Sequence, residues 1–140
     1  MKSRNWISHS EEETIAIGEA IAGELPGKSA VLLIGNLGAG KTTLAKGIVK
    51  GLGAAAEEEV SSPTFPLIHE YGAAVYHIDL YRLDRIEEVR TLGLEEIFER
   101  EAVVLVEWGE RFLEWMPRER VEIRLFAVSE SVREIFMGAS

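Results

Sequence analysis

Residues Gly35 to Thr43 read GNLGAGKTT, preceded by the apolar run AVLLI (Ala30–Ile34) and followed by Leu44, Ile48 and Leu52 at helical spacing. A short apolar run without polar alternation is what a strand covered on both faces shows. The stripe beyond marks an amphipathic helix, with Gly51 and Gly53 near its end. Strand, glycine loop and helix in this order point to an α/β fold in which a buried strand feeds a helix through a tight turn.

Within that turn Gly35, Gly40, Lys41 and Thr42 satisfy the spacing G-x-x-x-x-G-K-[ST], with Gly38 a further glycine inside. Glycines permit positive φ and let successive amide hydrogens converge on phosphate oxygens. The helix starting around Lys41 adds its positive dipole end. Lys41 is placed to reach β- and γ-phosphates and Thr42 to offer its hydroxyl to Mg²⁺. The expected nucleotide-binding set is therefore Gly35, Asn36, Leu37, Gly38, Ala39, Gly40, Lys41, Thr42 and Thr43. The competing reading of the same residues is an ordinary strand-to-helix turn.

The flanking elements are readable. Ser10 and Glu13 have the spacing of a capping box ahead of Ile17, Ile21 and Leu25, which predicts a first helix stopping near Leu25-Pro26-Gly27. Leu67–Tyr71 and Ala74–Leu80 form an expected hairpin across Gly72-Ala73, with Pro66 placing its first strand at a sheet edge. Residues 86–100 read as helical with a break at Gly93, and Ala102–Val106 as a second doubly buried strand ending in Glu107. Arg111–Met116 reads as a short helix stopped by Pro117, and Val121–Leu125 alternates with period two before turning near Ser129–Ser131 into a last strand. The expected fold is α/β and P-loop NTPase-like, with three layers and a mixed sheet of parallel core strands and antiparallel hairpins. At 140 residues a single domain spanning 1–140 is expected.

The chain has no cysteine, which excludes disulfides and thiolate metal sites. No apolar run reaches the roughly 20 residues of a membrane span, and the first residues lack the apolar stretch of a secretory signal, so a cytoplasmic protein without membrane contact is expected. A formal net charge of −9 argues against tight binding to bare nucleic acid, whose affinity comes from clustered Lys and Arg.

Hydrolysis or transfer at such a loop needs carboxylates near the metal. Asp79 ends Val75–Ile78 and Glu107 ends Val103–Val106. Strand C-termini of a parallel sheet gather beside the glycine loop, so either carboxylate is a candidate for Mg²⁺, directly or through water. Lys41, Glu107 and Asp79 are the candidate catalytic residues, Glu107 also positioning the attacking water. For Asp79 the alternative is an exposed turn acid. Thr64, in the hydroxyl-rich Val60–Phe65 segment, reads either as a γ-phosphate sensor or as a plain loop residue, and Trp108 either as a wall of the nucleotide site or as core. His69 and His77 are assigned no role.

The segments GNLGAGKTTLAKG, SSPTF, YHIDLYRL, LGLEEIF and EWGER, in that order and spacing, resemble the TsaE (formerly YjeE) family of small bacterial P-loop ATPases needed to make threonylcarbamoyladenosine in tRNA. The resemblance spans roughly Glu11 to Pro117. It implies ATP and Mg²⁺ binding, with Thr42 and Glu107 at the metal, Asp79 close by and Thr64 in a switch-like segment. It further implies work with the TsaB and TsaD proteins, tRNA being contacted only indirectly. By the same analogy Glu11, Arg111 and Arg133 are candidate nucleotide contacts. Asn36 departs from the Asp commonly found there.

Two other classes share the loop. A small-molecule or nucleotide kinase needs a lid and an acceptor pocket, for which 140 residues leave little room. A non-catalytic ATP-gated module needs the loop but not the carboxylates. No N-K-x-D or LSGGQ-like pattern occurs.

Overall fold

The computed structural model describes residues 3–56, 59–60, 67–72 and 74–139. In chain order the elements are β1 (Arg4–Ser8), α1 (Glu11–Ala22), β2 (Ser29–Ile34), α2 (Lys41–Gly51), β3 (Ile68–Tyr71), β4 (Val75–Asp79), α3 (Ile86–Arg90), α4 (Leu94–Glu99), β5 (Val103–Glu107), a 3-10 segment (Gly109–Trp115), β6 (Val121–Ala127) and β7 (Arg133–Ala139).

The strands form one seven-stranded sheet in the order β1-β7-β6-β2-β5-β4-β3. Strand β2 pairs in parallel with β5 and β6, and β4 in parallel with β5. The edges are antiparallel: β3 against β4, β7 against β6, and β1 against β7. The expected mixed sheet with parallel core strands is present. The apolar runs are explained by burial on both faces. Val31 and Leu33 of β2 join Leu105, Leu44 and Ile48 in one core cluster, while the intervening Leu32 joins Val104, Val106, Ile78 and Phe112 in the other.

Several elements begin and end for local reasons. Ser10 caps α1, its hydroxyl accepting from Glu13 N at 3.1 Å, while Glu13 Oε1 accepts from His9 N at 2.8 Å. The helix stops at Ala22 rather than running to Leu25, closed by Gly23. Gly93, at φ 70°, breaks the expected 86–100 helix into α3 and α4. The expected helix at Arg111–Met116 is instead a 3-10 segment that starts earlier, at Gly109, and is interrupted at Phe112 (φ −134°, ψ 45°). Strand β1 has no counterpart in the sequence reading.

Helix α2 is held against α1 by close backbone approach. A Cβ added at Gly47 would meet the Ile15 carbonyl oxygen at 2.1 Å and Gly18 Cα at 3.0 Å. Alanine gains about 1 kcal/mol over glycine in a helix, but overpacking against backbone costs about 3 kcal/mol. Gly47→Ala is therefore expected to destabilise by about 2 kcal/mol and to lower the melting temperature by roughly 6 °C. A thermal melt checks this; an unchanged midpoint would mean that the helices separate freely.

Candidate functional site

Parallel pairing brings the C-terminal ends of β2, β5 and β4 to one edge. In register, Leu33 stands opposite Glu107 and Glu107 opposite Asp79. Neighbouring strands lie about 4.8 Å apart, so the carboxylates that end the two apolar strands are neighbours by construction. Asp79 and Glu107 are buried, at 7% and 3% exposure. Asp79 Oδ1 accepts from Tyr81 N at 2.9 Å.

The glycine loop joins β2 to α2 at the same edge. Gly38 and Gly40 adopt φ 82° and 102°, values at which a side chain is strained. Gly40 is the N-cap of α2 without a side-chain cap, so the helix's first amides are left for another acceptor. Thr42 Oγ1 donates to Glu107 Oε2 at 3.1 Å. Lys41 is 5% exposed. Its Nζ donates to Gly35 O at 2.7 Å and lies 3.4 Å from the centre of the Trp108 ring. Burial pushes the Lys41 pKa below the usual lysine value, against the opposing pull of Glu107, Glu110 and Asp79.

Above the loop lies a cleft of about 680 Å³ lined by Leu37, Gly38, Gly40, Lys41, Thr42 and Thr43. Asp79, Glu107, Trp108, Glu11 and Arg133 also line it. Gly35, Asn36 and Ala39 do not line it: Gly35 lies behind as the acceptor for Lys41, Asn36 O accepts from Ala39 N at 3.0 Å, and Ala39 is 2% exposed. Arg133 ties the β6–β7 turn to the loop, donating to Gly38 O at 3.2 Å and Ser129 O at 2.8 Å. Arg111 is not on the cleft lining; its guanidinium donates to the carbonyls of Leu80, Tyr81 and Leu83 and so braces the chain after β4. Thr64 and the rest of residues 61–66 lie outside the described residues. A larger concavity, about 1110 Å³, lies at the opposite end of the sheet and contains none of these residues.

Trp108 lines the cleft and is also packed, half-buried, against the core cluster of Leu32 and Val106. It sits at φ 68°, at the cleft wall, with its ring 5.1 Å from that of Tyr81. Left-handed backbone is uncommon outside glycine; here it turns the indole over the Lys41 ammonium.

His77 was missed. It is fully buried and its Nε2 lies 2.6 Å from Glu107 Oε2. The available signal was period-two alternation, which puts His77 on the same face as Asp79 in an otherwise apolar strand.

The cleft thus offers left-handed glycines, a helix N-terminus, one ammonium and an oxygen donor set of a hydroxyl and two carboxylates. Oxygen donors suit a small hard cation that completes its shell with phosphate and water. Among the described residues no group of three or more His, Cys, Asp and Glu is placed to hold a metal by itself. No helix among them is long and apolar enough to cross a membrane.

Comparison with known proteins finds relatives along nearly the whole chain. The profile of the family described as "Threonylcarbamoyl adenosine biosynthesis protein TsaE" matches residues 8–135. A "tRNA threonylcarbamoyladenosine biosynthesis protein TsaE" from Bacillus subtilis is 41% identical over 142 aligned positions, covering 99% of this chain and 87% of the relative. One of the same name from Treponema pallidum is 37% identical, covering 92% and 96%. The crystal structure of YdiB from Bacillus subtilis superposes with a TM-score of 0.79 at 36% identity, covering 99% of this chain and 86% of that one. With nearly all of its length matched by family profile, relatives and solved structure alike, the chain belongs to the TsaE family.

Proposed function

We propose that the chain is a Mg²⁺-dependent ATPase, built as one P-loop NTPase-like domain, that supports threonylcarbamoyladenosine modification of tRNA together with TsaB and TsaD. The observation that carries the chemistry is the junction of Thr42, Glu107 and Asp79 at the sheet edge beside the glycine loop. A phosphate cradle alone needs no buried carboxylates, and a kinase needs an acceptor pocket. Family membership supports the pathway and the partners.

In this reading the amides from Gly38 to Thr43 hold the triphosphate tail, with Lys41 turned from Gly35 O and the Trp108 face onto phosphate oxygens. Thr42 with Glu107 or Asp79 would hold Mg²⁺, which would neutralise charge at the phosphates. Glu107 accepts a hydrogen bond from the attacking water and holds it in line. Arg133 keeps the C-terminal turn closed on the loop. In this reading Glu11, on the cleft lining, serves the nucleoside end, and Trp108 walls the phosphate end beside Lys41. The net charge of −9 leaves tRNA to the partner proteins.

Phosphate release from Mg-ATP tests this. The isolated protein is expected to turn over slowly, and adding TsaB and TsaD to raise the rate at least about tenfold, a modest demand beside the 10³–10⁵ that one arginine supplied in trans contributes. Equal rates with and without the partners would count against the partnered reading.

A further inference from the structure

His77 stands in the middle of β4 with no solvent exposure. Burying an imidazole is costly unless its polar atoms are bonded. Nε2 is, at 2.6 Å from Glu107 Oε2; Nδ1 has no hydrogen-bond partner among the described residues. An apolar side chain here would bury no unpaired nitrogen, so the histidine is accounted for by what its Nε2 does for the buried Glu107 carboxylate.

The contact selects a tautomer. A carboxylate oxygen accepts, so Nε2 carries a proton. The reverse tautomer would set two lone pairs against each other and bury an unpaired N–H. Thr42 Oγ1 bonds the same oxygen, Oε2, at 3.1 Å and stands 3.4 Å from Oε1. Two donors on Oε2 fix the plane of the carboxylate, while Oε1 has only the long contact. The sheet holds this arrangement in place: His77 is in register with Leu105 and Asp79 with Glu107, so ring and carboxylates lie on one face of two paired strands.

We propose that His77 is a positioning residue whose Nε2–H anchors Oε2 of Glu107 and thereby presents Oε1 to the water or cation in the cleft. This rests on the proposed reading of Glu107 as the carboxylate that faces water and metal. Carboxylates at such sites are oriented by groups behind them, and losing such a partner typically costs about 10- to 100-fold in metal affinity or activity.

Nitrogen-15 NMR of the wild-type chain without ligand reads the tautomer directly. A proton on His77 Nε2 is expected, and a bare Nε2 overturns the proposal. Two variants then separate positioning from packing: His77→Leu keeps apolar volume without a donor, and His77→Gln returns an amide N–H near the place of Nε2. His77→Leu is expected to lower kcat for phosphate release, and to raise the Mg²⁺ concentration needed for half-saturation, by about 10- to 100-fold. Affinity for ADP without Mg²⁺ should stay within about twofold, and His77→Gln should recover to within about fivefold of wild type. Wild-type kcat in His77→Leu, or a folded His77→Gln as impaired as His77→Leu, overturns it. Absence of any hydrolysis by wild type, alone or with TsaB and TsaD, would instead remove the ATPase reading, and the NMR tautomer with the Mg²⁺ dependence of ADP binding would still decide the role of His77.

Discussion

Lys41→Met is expected to lower kcat/KM for Mg-ATP by about 10³-fold while leaving the melting temperature of the ligand-free chain within roughly 3 °C of wild type. The two halves have one cause. Lys41 is almost wholly buried, and loss of hydration outweighs the attraction of Glu107, Glu110 and Asp79, so its pKa falls. A lysine whose folded pKa is lowered disfavours the fold at every pH below that value, and the penalty fades only as pH rises past it towards the ordinary lysine range. Methionine removes the penalty together with the hydrogen bond to Gly35 O, worth about 1 kcal/mol, and its thioether still packs on the Trp108 ring. The two changes act in opposite directions on stability. With a triphosphate in the cleft the balance reverses, because the ammonium then meets several negative oxygens in a water-poor site. Thermal melts with and without Mg-ADP separate the effects. At a ligand concentration one hundred times Kd the wild type gains about 2.7 kcal/mol, and Lys41→Met should gain almost none. Equal ligand-induced shifts in the two proteins would show that Lys41 does not contact the phosphates.

Much of this site is legible in the sequence itself. Strands β4 and β5 are buried along their whole length, and a charge that ends such a run lies at the sheet edge. That is why the sequence places Asp79 and Glu107 at the sheet edge beside the glycine loop. The parts not read depend on groups far apart in the chain. Strand β1 exposes most of its residues and exists because β7, at the other end of the sequence, offers it an edge to pair with. Arg111 looked like a cleft residue by analogy, yet the 3-10 turn after β5 aims it at the carbonyls following β4. For His77, alternation gives the face, but only the register of β4 against β5 brings its ring to Glu107.

Glu107→Gln and Glu107→Ala are expected to lose hydrolysis alike and to differ in stability. Glutamine can set its carbonyl oxygen where Oε2 stands, keeping the hydrogen bonds from His77 and Thr42, and its amide where Oε1 stands. What disappears is a charge and an acceptor facing the cleft. If that oxygen holds the attacking water, kcat falls by about 10³, the usual range for losing a positioned base. Stability should change by less than about 1 kcal/mol. Alanine loses the same chemistry but also leaves a buried imidazole N–H and a threonine hydroxyl without their acceptor, at about 2 kcal/mol, which lowers the melting temperature by roughly 6 °C. Binding of ADP without Mg²⁺ relies on the glycine loop and Lys41 and should survive in Glu107→Gln. Single-turnover phosphate release, paired with melting curves, reads both effects. Hydrolysis by Glu107→Gln within tenfold of wild type would transfer the water-holding role to Asp79, the carboxylate directly opposite on the neighbouring strand, and equal stability of the two variants would mean that the hydrogen bonds on Oε2 contribute nothing to the fold.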